Sequence, residues 1–308
     1  LTNLKKYDEA KKEFLKLVNG SLASSDMSLT VALLAIELDD NVLAEKYFNQ
    51  SLERGYSQPG QIYIYLARIY EIRNDYDAAM SWLNKVSSGP NFLEAKLLGG
   101  QFTAKHQTVD KALTLLDSYN FIDINEKLII LKTKVSLLSS NDRGADAYEL
   151  MKNEDNNFKG SAEFKFEYAV LSEKMGNTLL MEQLLTEAIK LKPAYAVAYN
   201  ALGYSYADRN INLDVAKRNI EIALSIQPKN HYILDSMGWV YYRLGNNKIA
   251  LEFLKKAYAV QEDPEIAAHL GEVLWKMKEK EKASKIWQSS LRSNPNNKVL
   301  LDTIDKFR

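Results

Sequence analysis

A small residue recurs along this chain with a period of about 34 residues, a spacing that fits stacked repeats of one supersecondary unit and restricts the fold more than any other feature. Ala10, Ala44, Ala79, Ala112, Ala147, Ala216, Ala250 and Ala283 make up the series, with Met181 in the remaining place. Successive intervals are 34, 35, 33, 35, 34, 35, 34 and 33 residues. Four residues after each stands a mostly large apolar side chain: Phe14, Phe48, Leu83, Leu116, Met151, Leu185, Ile220, Leu254 and Trp287. A second small series runs in step as Ala32, Ala67, Gly100, Ala169, Gly203, Gly238 and Gly271. A unit this short cannot bury its apolar face alone, so neighbours must stack and the fold grows by addition.

Residues 235–250 show the unit in detail. Leu234, Met237, Gly238 and Tyr241 fall at i, i+3, i+4 and i+7 and share one helical face. Gly245 follows Leu244 as a helix stop, because glycine enters the left-handed conformation of a C-terminal cap without strain. Ala250, Leu254 and Ala257 form the stripe of a second helix. A mid-helix glycine costs about 1 kcal/mol against alanine, so Gly238 is expected to let the second helix come close. Alanine is expected to serve there with little loss, since Ala32, Ala67 and Ala169 hold the matching places. Pro193, Pro228 and Pro295 close their units.

This grammar of small residue, large residue and proline resembles the tetratricopeptide repeat. The resemblance implies an all-α tetratricopeptide repeat solenoid, a right-handed superhelix of about nine helical hairpins with a C-terminal capping helix. About 18 helices and no strands are expected. The chain reads as one continuous solenoid: residues 1–160 hold the more degenerate repeats, residues 161–308 the clearer ones. The pattern weakens over residues 91–160, where Val135 replaces the small residue. The polar run 152–161 is either a flexible elbow or an ordinary turn between repeats. Leu1 to Ala10 read as the turn and second helix of a repeat whose first helix is missing, which implies a fragment of a longer protein. At the other end, Val299, Leu300, Ile304 and Phe307 lie among charges in an amphipathic lid for the last open face.

Composition narrows the function. Lys+Arg and Asp+Glu are both 40, so the charge excess of a nucleic-acid binder is missing. There is no cysteine, which rules out disulfides and thiolate metal sites. Apolar runs such as 31–36 and 128–131 are too short to cross a bilayer, and no signal peptide is visible. His106, His231 and His269 are too far apart for a local metal motif, and neither a phosphate-cradling loop nor a nucleophile elbow occurs. The acidic pairs Asp39–Asp40 and Glu262–Asp263 fall at turns, where carboxylates cap helices or meet water. No catalytic residue, cofactor or metal ligand is assigned.

The fold offers a surface instead. The resemblance places the first helices on a concave groove for a protein or peptide partner. Residues not used for packing are expected to face it: Phe166, Asn200, Tyr204, Asp235, Trp239, Tyr242, Glu272 and Trp275, with His269 at the lip. Trp and Tyr are favoured at binding hot spots, yet Trp239 and Tyr242 read equally well as rings packed between neighbouring first helices. Beside the closing helix, Trp275 reads better as packing. Tetratricopeptide cochaperones hold a C-terminal carboxylate with groove lysines and asparagines. Here the places read Asn200, Tyr204, Asp235 and Trp239, which speaks against that use.

Three segments carry a narrower resemblance: 199–209 (Tyr-Asn-Ala-Leu-Gly-Tyr-Ser-Tyr-Ala-Asp-Arg), 233–245 (Ile-Leu-Asp-Ser-Met-Gly-Trp-Val-Tyr-Tyr-Arg-Leu-Gly) and 263–275 (Asp-Pro-Glu-Ile-Ala-Ala-His-Leu-Gly-Glu-Val-Leu-Trp). They resemble proteobacterial outer-membrane tetratricopeptide lipoproteins, including the adaptor of a carboxyl-terminal processing protease. That implies a scaffold at the periplasmic face of the outer membrane, presenting substrates to such a protease. Membrane contact would run only through a lipid anchor upstream of Leu1. The alternatives are a cytoplasmic scaffold and a regulatory repeat module of a larger enzyme.

Overall fold

The computed structural model describes residues 23–307 together with Lys6, Glu9, Ala10, Lys12, Glu13, Leu15, Lys16 and Val18. The expected truncated first repeat, with Phe14 as its large residue, falls largely outside the described residues. Among them there are 17 helices and no strand. In chain order the helices pair as hairpins: α1 (Ser25–Glu37) with α2 (Asn41–Glu53), α3 (Pro59–Ile72) with α4 (Tyr76–Asn84), and α5 (Phe92–His106) with α6 (Val109–Asp117). Next come α7 (Ile124–Ser139), α8 (Gly144–Glu154), and the pairs α9 (Ala162–Lys174) with α10 (Thr178–Leu191) and α11 (Ala196–Asp208) with α12 (Leu213–Ile226). The series ends with α13 (His231–Arg243) and α14 (Asn247–Val260), α15 (Pro264–Lys276) and α16 (Lys280–Ser293), then the single α17 (Lys298–Lys306). Two compact units result, Leu1–Ala147 and Tyr148–Arg308.

One turn recurs inside the hairpins. A residue in the left-handed region ends the first helix, and the next residue caps the second. Asp39 (φ 60°), Asn74 (60°) and Gly245 (81°) are followed by Asp40, Asp75 and Asn246. The cap's N–H donates back to the first helix, as from Asn246 to the Tyr241 carbonyl at 2.8 Å, and its side chain accepts from the second helix, as from the Ile249 N–H at 3.3 Å. Both bonds satisfy groups that a helix end leaves open. The α11–α12 turn has the extra residue read from the sequence and uses two left-handed asparagines, Asn210 and Asn212.

From Ala44 and Phe48 onward, both periodic series of the second helices are core. Ala44, Ala79, Ala112, Ala216, Ala250 and Ala283 are fully buried, and so in effect are Phe48, Leu83, Leu116, Ile220 and Leu254. Where the first helix carries a glycine in its small-residue place, the large residue of the second helix lies against it. A Cβ added at Gly100 would stand 2.8 Å from Leu116, at Gly203 2.6 Å from Ile220, and at Gly238 2.6 Å from Leu254. At Gly271 it would stand 2.0 Å from Trp287 Nε1. The register therefore holds at Gly100 and Leu116, inside the stretch where the pattern weakens. The 152–161 run is a packed turn: Phe158 stacks on Phe164 at 5.2 Å and Asp155 pairs with Lys165 at 2.7 Å. As expected of a lid, α17 buries Leu300 and sets Phe307 against Trp275 and Trp287, each at 5.8 Å.

The expectation that alanine would replace Gly238 at little cost is corrected by this packing. The methyl would meet the branch carbon of Leu254 and, at 3.2 Å, the Ala250 carbonyl oxygen, and a backbone atom cannot swing away. Gly238→Ala should lose about 1–3 kcal/mol through overpacking, and Gly271→Ala should lose at least as much. Gly144→Ala, with nothing within 4 Å of the new methyl, should be neutral or gain about 0.4–1 kcal/mol. Urea denaturation of the three variants checks this; equal midpoints for Gly238→Ala and wild type would refute the close approach.

Candidate functional site

Successive first helices touch one another in the second unit, α11 with α13 and α13 with α15, so their facing side chains form a continuous inner layer. Polar residues at i, i+4 and i+7 put several on that layer: Tyr204 and Asp208 on α11, Asp235, Trp239, Tyr242 and Arg243 on α13, and Glu265, His269 and Glu272 on α15.

The centre of the layer is an ion pair. His269 Nδ1 lies 2.9 and 3.1 Å from the two oxygens of Asp235, and both side chains are buried. The Trp239 ring stacks on the imidazole with centroids 4.1 Å apart and planes 20° from parallel. Tyr204 reaches across α13 and donates its O–H to Glu265 Oε1 at 3.2 Å, 61 residues further along the chain. Tyr242 donates to Glu272 Oε1 at 2.8 Å, and Lys306 of α17 donates to the same carboxylate at 3.3 and 3.4 Å. At the α11 end, Trp239 Nε1 donates to Asp208 Oδ1 at 3.3 Å, and Arg243 lies over the indole while donating to the Asp208 carbonyl at 2.9 Å.

Charge sets the protonation of this layer. Burial pulls the His269 pKa down, but the paired Asp235 carboxylate, with Glu265 and Glu272 beyond it, outweighs burial and holds the value above normal. An imidazolium between a carboxylate and an indole face gains from both partners. The Tyr204 and Tyr242 phenols are raised, first by burial and then by the carboxylates around them, so both stay neutral donors.

Six of the nine residues read from the sequence meet here: Tyr204, Asp235, Trp239, Tyr242, His269 and Glu272. Trp239 is 4% exposed, and the packing alternative holds for it. Asp235, His269 and Glu272 are buried too, so they face the layer without being open groove contacts. Trp275 belongs to the closing-helix core, stacked on Trp287 at 5.8 Å. Phe166 stands outside the network, with Tyr195 edge-on at 5.6 Å and the Tyr195 phenol pushed up to about 12 by burial and then by Glu163 and Glu167. Asn200 also stands outside, its Oδ1 enclosed without a hydrogen-bond partner. Sequence reasoning missed Asp208, Arg243, Glu265 and Lys306. The first three were detectable one helical turn from Tyr204, Trp239 and His269. Among the described residues no group of three His, Asp or Glu side chains is placed to hold a metal ion.

Family models for the tetratricopeptide repeat match residues 29–91 and 232–264. Those stretches are tetratricopeptide repeats. The second covers α13 and α14, and so Asp235, Trp239, Tyr242 and Arg243 of the inner network. The TPR repeat-containing protein PA4667 of Pseudomonas aeruginosa is 31% identical over 207 residues, 67% of this chain and 35% of its own length. The chain thus spans about a third of that curated relative. Among solved structures, a thermophilic tetratricopeptide protein of Thermus thermophilus aligns over 56% of this chain and 93% of its own at 21% identity, with a TM-score of 0.50. A tetratricopeptide repeat protein of Parabacteroides merdae aligns over 91% of this chain and 97% of its own at 14% identity, with a TM-score of 0.53. At these identities the likeness is one of fold, and the fold is all-α with tetratricopeptide hairpins. Such repeats are protein-binding scaffolds.

Folded His269 holds its proton more tightly than unfolded His269. The contribution of its pairing is therefore complete below the ordinary value of 6.5 and is lost as pH rises through the higher folded value. Denaturant unfolding above about pH 6.5 should show stability falling by at most about 1.4 kcal/mol per pH unit from this one proton. His269→Gln should flatten that part of the profile; an unchanged profile would refute the charged pair. Trp239→Ala should cost about 3–5 kcal/mol, read in the same assay.

Proposed function

We propose that this chain is a protein-binding scaffold of the bacterial envelope that brings a substrate beside a carboxyl-terminal processing protease. The observation that supports binding is the inner layer of the second unit, where side chains of α11, α13 and α15 converge and Tyr204 bonds Glu265 two hairpins away. A surface built from three helices presents separated contacts on one rigid support, which suits an extended partner segment. Tyr204 and Tyr242 are only partly buried in that layer, as are Phe166 of α9 and Asn200 of α11 outside the network, and these are the side chains available to a partner. The resemblance of segments 199–209, 233–245 and 263–275 to outer-membrane lipoproteins supports the envelope and the protease. In this reading a lipid anchor upstream of Leu1 holds the protein at the periplasmic face of the outer membrane.

An adaptor works by raising the concentration of one bound protein beside another, so modest affinities multiply when both bind one body. It acts by holding proteins together and turns over no substrate itself. Mixing the purified chain with the carboxyl-terminal processing protease of its own organism and a candidate cell-wall hydrolase tests this. Cleavage should quicken as the chain is added, pass an optimum, then slow as excess chain separates protease from substrate. Phe166→Ala with Tyr242→Ala should weaken capture while helicity is retained. No co-sedimentation of chain and protease at micromolar concentration would refute the adaptor role.

A further inference from the structure

Two lysines occupy the same place in different repeats. Lys96 and Lys165 each stand four residues before the small residue of their first helix, Gly100 and Ala169. Both are buried, Lys96 with 8% and Lys165 with 5% exposure. Burying an ammonium is costly unless acceptors replace its water, and the fold supplies them to Lys165. Asp155, ten residues before it, lies 2.7 Å from its Nζ, and Glu187, twenty-two residues after it, lies 2.8 Å away. These carboxylates outweigh burial and raise the Lys165 pKa.

Lys96 has the same surroundings in the repeat but not the same chemistry. Ten residues before it stands Val86, and twenty-two after it stands Ser118. Ser118 spends its hydroxyl hydrogen on the Leu115 carbonyl. What faces the Lys96 ammonium is a pair of rings, Phe92 at 5.0 Å and Tyr119 at 5.1 Å from centroid to Nζ. Rings stabilise a cation but accept none of its hydrogen bonds well. Among the described residues no carboxylate pairs with it, and burial holds its pKa below the ordinary lysine value.

We propose that Lys96 is a docking point for a carboxylate side chain of a bound protein, received between the rings of Phe92 and Tyr119 at the open end of the α5–α6 hairpin. The proposal rests on the protein-binding reading above and adds the chemistry of one contact. The incoming carboxylate takes the role that Asp155 and Glu187 play for Lys165. It completes the ammonium's hydrogen bonds, and the apolar rings around it exclude water and strengthen the pair. The site differs from the inner layer in charge and in repeat position, and it selects an acidic residue in the partner.

The test uses the whole chain with its lysines carbon-13 dimethylated, the Lys96 resonance being assigned by its loss in Lys96→Arg. A blocked peptide of alternating glycine and glutamate is the probe, and its glutamine counterpart the control. The glutamate peptide should shift the Lys96 resonance saturably and raise its titration midpoint by about one pH unit, with no effect from the glutamine peptide. Ser118→Glu builds in the missing acceptor, as Glu187 does for Lys165. It should raise the Lys96 midpoint without peptide and abolish the response to peptide. A Lys96 resonance unmoved by the glutamate peptide, or moved equally by the glutamine peptide, overturns the proposal. Either result stands whether or not the chain captures the protease, so the two readings fail separately.

Discussion

The close approach of two helices within each hairpin is the constraint on which the rest depends. It is set by one pair of residues: a glycine or alanine on the first helix, and the large side chain four residues after the small residue on the second. Where the first helix carries Gly203, Gly238 or Gly271, the facing Ile220, Leu254 or Trp287 fills the volume a methyl would need. The glycine's entropic cost in a helix, about 1 kcal/mol, is smaller than the overpacking that alanine would bring. Where the place holds Ala32, the partner cluster contains Phe48 and Tyr47. Each hairpin thus matches its two sides separately, and the array follows from repeating that match.

This explains what was legible in the sequence. The packing series are a local grammar, spaced within one hairpin, and nearly every member from Ala32 to Trp287 is buried. The Gly245 cap was legible because glycine advertises the left-handed region. Lys278, at φ 66°, was not, since a lysine gives no such sign. Its conformation is imposed by the Glu279 N–H bonding the Leu274 carbonyl at 2.9 Å. For the inner layer, helical spacing told which residues share a face but not how near the next helix comes. Trp239 read equally well as a ligand contact or a core ring because its burial is decided by His269, thirty residues away in sequence and a whole repeat away in space. The Tyr204 bond to Glu265 spans two repeats, beyond any pattern within one.

The two layers of the second unit are joined by different forces. Hairpins close through apolar packing, which has no direction and tolerates small shifts. The inner layer closes through directed bonds between unlike groups: Asp235 with His269, Tyr242 and Lys306 with Glu272, Trp239 and Arg243 with Asp208. A buried ion pair adds little net stability because desolvation offsets its attraction. It does fix geometry, since removing one partner leaves an uncompensated charge. The first helices are thereby held in one register relative to each other, which a surface contacted at several repeats requires.

Polar satisfaction can vary from repeat to repeat because packing is satisfied elsewhere. The place four residues before the small residue shows how far that freedom goes. It holds Tyr63, Lys96, Leu131, Lys165, Tyr199, Leu234 and Ala267 in successive repeats, a range from ammonium to methyl that leaves the hairpins intact. A lysine survives there only if something answers its charge. At Lys165 the chain answers with two carboxylates drawn from the preceding turn and the following helix. At Lys96 those two places hold a valine and a serine, and the rings of Phe92 and Tyr119 answer only in part. The repeat that departs from its own rule for burying charge is therefore the one whose lysine, among the described residues, has rings and no carboxylate beside it.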